Sequence, residues 1–461
     1  MCRRVARERV VRSRAQRAAF QQAVVNVETT CEASKPMKLS VATNFDDELI
    51  ERVRDYPVAE LFGKLPRDFV GGGRPVYLLP PLSRRRLARH VRLAQASGIE
   101  FNYLLNAACL DNREFTRRGQ RAIERTLHWL AGIGVTSITV ALPYLLELVK
   151  QRFPHFKVKV GVFARVATVQ QAKFWEELGA DCITLDPLVV NRDFRTLASV
   201  RASLRCDLQL IANSDCLLFC PLAGYHMVGL SHASQRQRHA APLPLDYCFF
   251  TCNGAKLDDP VHYVRSNWIR PEDLAWYERA GYTRFKILER GAPTEVMVRR
   301  VQAYAGRRYD GNLLDLIDPL AGRRAVDVGH AVARGLVLRS PLTWLLVRRG
   351  GWAALRRLAE IRLQQATPGR PGVDIDNRKL DGFLEGFPAV ACGARDCRLC
   401  RYCDGWAERA VRIDPAYHAR YAEAERPLRR GLRDGTWWAG HRRTRKTSPG
   451  NQAPTNEFDN R

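Results

Sequence analysis

Several features are missing from these 461 residues, and each absence excludes something. No apolar run reaches the roughly 18 to 20 positions that a membrane-spanning helix needs. The Arg-rich start lacks an apolar core, so it does not read as a secretory signal. There is no Gly-x-Ser-x-Gly elbow and no His-Glu-x-x-His pair, the local signatures of a serine hydrolase and of a zinc peptidase. No repeat of solenoid length is present. Acidic side chains are scarce, 48 against 74 basic ones, a net charge of +26. With 46% hydrophobic and 26% charged residues, general disorder and a fibrous architecture are out. The length allows one large domain with an appendage, or two to three average domains.

Part of the charge sits at the ends, +5 over residues 1–36 and +4 over 421–461. The rest is largely Arg, often paired: Arg299-Arg300, Arg307-Arg308, Arg323-Arg324, Arg348-Arg349 and Arg356-Arg357. Such a surface attracts RNA or an anionic membrane, unless the charges are simply solvated faces of an Arg-rich chain.

Short β-branched or aromatic runs occur at 38–43, 75–79, 100–106, 137–142, 157–164, 181–186, 208–213 and 284–289. Helical periodicity fills most intervals, as in 118–133 and 169–178. Eight strands alternating with helices predict an α/β fold, a TIM-like (β/α)8 barrel, over an open doubly wound sheet. No glycine-rich phosphate fingerprint follows the first strand, which weakens the open-sheet alternative. In a barrel of this kind the active site lies at the C-terminal ends of the strands. Asn44, Asn106, Arg165, Asp186, Asn213, Lys286 and Glu289 all fall there. The long interval 214–283 would sit over the mouth as an insertion. The expected organisation is a basic, disordered extension at 1–36, the barrel at 37–292 and a helical region at 293–366. A linker at 367–372, a cysteine-rich C-terminal module at 373–439 and a disordered tail at 440–461 complete it.

Eight of the thirteen cysteines fall into two groups. Clustered cysteines in a long chain without a signal read as metal ligands in a reducing compartment, so the cytoplasm is the expected location. The first group is Cys216, Cys220, Cys248 and Cys252, two Cys-x3-Cys pairs. Four thiolates suit a tetrahedral zinc or a cubane iron–sulfur cluster. Leu217, Leu218, Phe219, Phe249 and Phe250 would shield it from water. Four free, buried cysteines are the alternative.

Cys216 follows a strand that ends in Asn213. After the downstream pair come Trp268-Ile-Arg-Pro-Glu-Asp-Leu274 and Phe285-Lys-Ile-Leu-Glu-Arg290. Taken in order, these segments over residues 38–292 resemble peptidase family U-32, the collagenase-like proteases. Arg270-Pro271 stands where typical members have Ser-Pro, and Leu288 intervenes before Glu289. The resemblance implies a TIM-like barrel and, in several members, a 4Fe–4S cluster, here on Cys216, Cys220, Cys248 and Cys252. It also implies oxygen-independent hydroxylation as an activity alongside proteolysis, on ubiquinone precursors, tRNA or ribosomal RNA. Some members act with a paralogous partner.

A hydroxylase of that kind needs groups that hold an anionic donor. Arg165, Lys286 and Arg290 are suited to carboxylates, because a guanidinium can grip one with two hydrogen bonds. Asn106 and Asn213 complete the substrate-binding set. Asp186, Lys286 and Glu289 are the candidate catalytic groups, the two carboxylates for acid–base work. Each is equally read as a barrel-mouth salt bridge, and Asp193 as a helix N-cap. His226 and His232 leave a Cys/His peptidase arrangement open, although a thiolate bound to iron is not free to attack an amide.

The second group, Cys392, Cys397, Cys400 and Cys403, packs four cysteines into twelve residues. Cys-x2-Cys-x2-Cys resembles a ferredoxin run, so an iron–sulfur cluster or zinc is expected. Arg395, Arg398 and Arg401 around it suit RNA or an acidic redox partner. Three functions remain open: an iron–sulfur hydroxylase acting on a small aromatic, lipid-like or RNA substrate, a peptidase, and a metal-stabilised scaffold without catalysis. Arg pairs near Trp344 and Trp352 also allow peripheral membrane contact.

Overall fold

The computed structural model describes residues 36–235, 245–323, 349–365, 367, 369–389 and 392–437. The 341–347 part of the expected helical region, with Trp344, and the end segments 1–35 and 438–461 lie outside the described residues, as does the side chain of Trp352.

Eight parallel strands close into a barrel. They are β1 (Lys38–Ala42), β2 (Val58–Gly63), β3 (Glu100–Leu105), β4 (Ser137–Val140), β5 (Lys157–Val160), β6 (Cys182–Thr184), β7 (Asp207–Ile211) and β8 (Arg284–Ile287). Closure is made by β1 on β8, with Leu39 opposite Phe285 and Val41 opposite Ile287. Connecting helices wrap the outside: α1 (Asp47–Val53), α2 (Arg84–Ala96), α3 (Arg117–Gly132), α4 (Pro143–Arg152), α5 (Val169–Glu177) and α6 (Phe194–Ser203). Their starts are set by side-chain caps. Ser83, Thr116, Thr168 and Asp193 each accept a backbone N–H of the first turn. Asp193 is thus an N-cap. The outward strand residues Leu39, Val41, Phe101, Ile138, Val158 and Leu208 are buried under these helices.

The strand expected at 75–79 is not one. Val76–Leu78 forms a single 3-10 turn, hemmed by Pro75 and Pro80. The second strand is Val58–Gly63, where Glu60 interrupts the apolar run. Glu60 faces the inside of the barrel, bonded by Ser40 at 2.5 Å and paired with Lys159 from β5. A charge inside a parallel barrel is what hides this strand from an apolar-run reading.

The interval between β7 and β8 carries α7 (Ala223–Ala233), α8 (Tyr247–Asp258) and α9 (Leu274–Arg279), and α10 (Thr294–Gly306) follows β8. Beyond them, α11 (Arg349–Leu363) packs on α13 (Pro415–Arg433), and α12 (Tyr402–Ala410) packs on the short helix Val261–Arg265. Two short strands, β9 (Val373–Ile375) and β10 (Val411–Ile413), pair antiparallel. One hydrophobic cluster runs from Leu39 on β1 to Leu428 on α13 and on to Trp437, so the cysteine-rich region shares the barrel's core. No described helix is long and apolar enough to cross a membrane.

Arg270 joins the two parts. It is 1% exposed, forks onto both Asp273 oxygens at 2.8 and 2.9 Å, and reaches Asn377 O at 2.7 Å and Asp381 at 3.0 Å. Arg270 therefore anchors the C-terminal region. Replacing it as Arg270→Ser leaves the buried Asp273 carboxylate uncompensated. The expected loss is about 3–5 kcal/mol of stability, read from urea denaturation. A loss below about 1 kcal/mol would mean that the fork is a solvated surface pair.

Candidate functional site

The inside of the barrel is polar. Asn102 bonds Ser137 at 2.8 Å and accepts from Thr139 at 2.7 Å, and Thr184 reaches Gln209 at 3.2 Å. Among these groups lies the Glu60–Lys159 pair, and on β8 Lys286, whose ammonium sits 4.0 Å from the centre of the Phe62 ring. Burial pushes the Lys286 ammonium down to about 8, with Glu60 opposing and Lys159 adding to the shift.

Toward the strand ends cations outnumber carboxylates. Lys64 is 1% exposed and pairs with Asp68 at 2.9 Å, while burial brings its pKa to about 8. Asp68 also accepts from Tyr103 at 2.8 Å and from the backbone N–H of Gly71 at 2.6 Å. Arg290 is 4% exposed and, among the described residues, makes no hydrogen bond or ion pair; its Nη1 is fully enclosed. Burial first, and then Arg74, lowers its pKa to about 10. Arg323 is held nearby by Leu78 O at 3.0 Å and is lowered to about 10 by the same two causes. A Cβ at Gly291 would collide with the Arg323 guanidinium, which accounts for glycine there. Asn106 Oδ1 is likewise buried without a donor. The mouth thus holds enclosed, unmatched donors and one unmatched acceptor, the condition of a site shaped for an anionic, hydrogen-bonding ligand.

A loop from β2 closes over these groups. Gly72 N donates to Ser234 Oγ at 2.7 Å, and a Cβ on Gly72 would come within 2.7 Å of Asn106 Oδ1. Gly71 adopts a left-handed φ of +84° against α7. The insertion does sit over the mouth, through Ser231 of α7 and Ser234 and Gln235 just after it.

Arg74 links the mouth to the first cysteine group. It contacts Glu289 and lies within electrostatic reach of Cys216, Asp215 and Asp246. Glu289 holds a φ of +90°, a strained backbone of order 1–3 kcal/mol. Cys216 and Cys220 bracket a turn, and Cys248 and Cys252 share one face of α8, whose N-cap is Asp246. The sulfurs are electrostatic neighbours: Cys216 acts on Cys252, and Cys220 acts on both Cys216 and Cys248. Burial raises Cys216, takes Cys248 to about 11 and Cys252 to about 12. Lys256, 2% exposed, bonds Asp215 at 2.9 Å; burial acts to lower it, but Asp215 and the Cys252 and Cys216 sulfurs outweigh that and raise it. Among the described residues no three His, Cys, Asp or Glu side chains stand in metal-ligand geometry. The donor set still fits a thiolate-held group by its chemistry, with four sulfurs near one another and the buried Lys256 ammonium to offset negative charge.

The expected site residues divide. Lys286, Arg290, Glu289 and Asn106 meet at the mouth. Asp186 is 1% exposed, caps a short helix through Leu188 N at 3.0 Å and accepts from Arg165 Nε at 3.1 Å; burial raises its pKa. Asn213 is committed to backbone, donating to Leu316 O at 3.2 Å and accepting from Leu288 N at 2.6 Å. His226 pairs with Asp246 at 3.0 Å and His232 lies 3.2 Å from Gln235. The second group lines one cavity with all four sulfurs. Glu60, Lys64, Asp68, Arg74 and Tyr103 were not foreseen. The run Glu60-x3-Lys64-x3-Asp68 was the available signal once β2 is placed correctly.

A family model for Peptidase family U32 matches residues 80–196. An uncharacterized protease, MJ1657, of Methanocaldococcus jannaschii is 32% identical over 346 residues, covering 75% of this chain and 87% of that protein. Among solved structures, the U32 peptidase Mk0906 aligns over 57% of this chain and 96% of its own, with 21% identity and a TM-score of 0.43. Citrate synthase SbnG aligns over 55% and 86%, with 11% identity and a TM-score of 0.26.

The two mouth lysines set a pH dependence. Both are cationic below about pH 8 and neutral above it. Because their folded pKa lies below the unfolded value, the stability they withhold is withheld below pH 8 and returns as pH rises toward 10.5. Affinity for a small dicarboxylate such as malonate should run the other way. It should be flat below pH 7 and fall by up to about tenfold per unit above pH 8. Calorimetric titration of wild type and Lys286→Met checks this. A profile unchanged in the variant would remove Lys286 from the site.

Proposed function

The chain belongs to peptidase family U32, and on that premise we propose that it is an iron–sulfur enzyme. It holds an anionic donor or substrate in the barrel mouth and catalyses an oxygen-independent hydroxylation or related modification. The observation that carries the reading is Arg290, an enclosed guanidinium that makes no hydrogen bond or ion pair among the described residues and lies within electrostatic reach of Arg74. A carboxylate placed there would accept two hydrogen bonds and supply the missing charge. Lys286 and Lys64, near pKa 8, can hold or release a proton close to neutral pH. The Gly71–Gly73 loop keeps water from the bound anion. Cys216, Cys220, Cys248 and Cys252 would hold the cluster, which supplies a redox or Lewis-acid centre at the rim.

The peptidase reading is second, favoured by the name of the archaeal relative, an uncharacterized protease. A cysteine nucleophile needs a lowered thiol pKa and a base. The shifts resolved in the first group are upward, and His226 is engaged by Asp246.

Anaerobic purification with iron and acid-labile sulfide analysis tests the proposal. Cys216→Ala should lose about four irons relative to wild type, together with a broad brown absorbance. Arg290→Gln should retain the iron yet bind a dicarboxylate about 10–100-fold more weakly, the equivalent of one charge-assisted interaction. Hydrolysis of gelatin or casein that survives iron removal would put the peptidase reading first. No iron after anaerobic reconstitution would end the hydroxylase reading.

A further inference from the structure

The C-terminal cysteines are brought together by local backbone geometry. Asp396 caps the turn Cys397–Cys400, accepting Arg398 N at 2.9 Å. Arg401 then takes a left-handed φ of +50°, which breaks the helix and restarts it as α12 with Cys403 in its first turn. The break returns Cys403 to the cavity that Cys397 and Cys400 already face, and Cys392 enters from the preceding turn. The cavity measures about 30 Å³. A single water needs only about 10–15 Å³, so more than one small atom fits.

Two further observations point to an anionic occupant. Arg192 is 1% exposed and lines this cavity, and its Nε and Nη1 make no hydrogen bond. It is held from behind, between the Trp268 ring at 4.3 Å, the Phe383 ring at 5.1 Å and Ser266 O at 3.1 Å. Arg265 lines the same wall with an unpartnered Nε, its other end fixed by Asp404 at 2.9 Å. Enclosed N–H donors facing neutral thiols leave a desolvated charge unmatched; four thiolates around a metal core would match it.

The cavity also touches the first group. Leu218 is part of its lining, and a Cβ at Gly393 would lie 3.5 Å from Phe219 Cζ. Both residues belong to the turn between Cys216 and Cys220, which is pinned by Phe219 N to Leu188 O at 2.9 Å. The turn that carries Cys216 and Cys220 therefore borders the cavity of the C-terminal cysteines.

We propose that Cys392, Cys397, Cys400 and Cys403 hold a second iron–sulfur cluster, and that the Cys216–Cys220 turn is the wall across which electrons pass between two centres. The second half rests on the cluster assignment of the first group. A one-electron donor is oxidised, the C-terminal centre accepts the electron, and it returns to its starting state when the electron crosses to the barrel-mouth centre. No bond or proton moves in this relay.

The test uses the full chain, purified anaerobically as wild type, Cys400→Ser and Cys216→Ser. Iron, sulfide and zinc are counted, and electron paramagnetic resonance is recorded after dithionite reduction. Wild type should carry about eight irons and a spectrum broadened by coupling between two reduced centres. Each serine variant should keep about half the iron and give a narrow, uncoupled signal from the surviving centre. Arg192→Leu should retain the iron while moving the midpoint of the C-terminal signal to lower potential. Zinc in place of iron at the C-terminal group, or about four irons in wild type that are untouched by Cys400→Ser, overturns the second cluster and leaves the first standing. Iron lost in Cys400→Ser but not in Cys216→Ser overturns the first assignment and the relay. The wild-type metal count decides between zinc and iron even where a variant does not fold.

Discussion

A positive charge removed from water without a counter-ion is expensive, and this chain buries several at chosen places. The buried arginines fall into two kinds. Arg270 and Arg362 are paired, Arg362 forking onto Asp318 at 2.9 and 3.2 Å and reaching Asn253 of the cysteine-bearing α8 at 2.9 Å. Arg290 and Arg192 carry enclosed N–H groups that nothing in the described chain satisfies. The first kind stitches the C-terminal region to the barrel. The second kind faces the two places where chemistry is expected.

The two kinds depend on each other. Enclosing Arg192 requires the aromatic wall of Trp268, Phe383 and Phe387, and Phe383 and Phe387 arrive with the C-terminal region. That region is seated by Arg270, which reaches from the segment before α9 to Asn377 and Asp381. At the mouth, enclosing Arg290 and Lys64 requires the β2 loop, and that loop is pressed down by α7 through Gly71 and Gly72. Packing energy gained in the shared core is what allows desolvated cations to persist in the fold.

Much of the barrel was legible because parallel strands covered by helices read as apolar runs. Seven of the eight runs coincide with strands. The eighth failed at Glu60, since an inward charge matched by Lys159 across the barrel looks, in one dimension, like a surface residue. That single misplacement also hid Lys64, Asp68 and Arg74, which lie on the same strand and its loop. Residue type alone could not separate Arg290, left without a partner, from Asn213, whose amide is wholly bonded to backbone. Partnering is a property of three-dimensional neighbours. The cysteine groups were legible because their spacing is short, and local spacing survives folding.

The same distinction bears on what the excess positive charge is for. The Arg pairs singled out for RNA attraction are largely neutralised where they are described. Arg307 pairs with Glu278 at 2.7 Å, Arg308 with Asp310 at 3.0 Å, Arg356 with Glu360 at 2.8 Å and Arg357 with Glu423 at 2.6 Å. Arg300 is wholly buried and donates to Asp318 O at 2.7 Å. Such exposed pairs add little stability, yet they remove local positive potential. Among the described residues, cations with enclosed, unsatisfied N–H groups include Arg290 at the barrel mouth and Arg192 and Arg265 beside the C-terminal sulfurs. A carboxylate would match the unpaired guanidinium of Arg290 with two hydrogen bonds and an opposite charge, so the electrostatics at the mouth favour an anionic group over a neutral one.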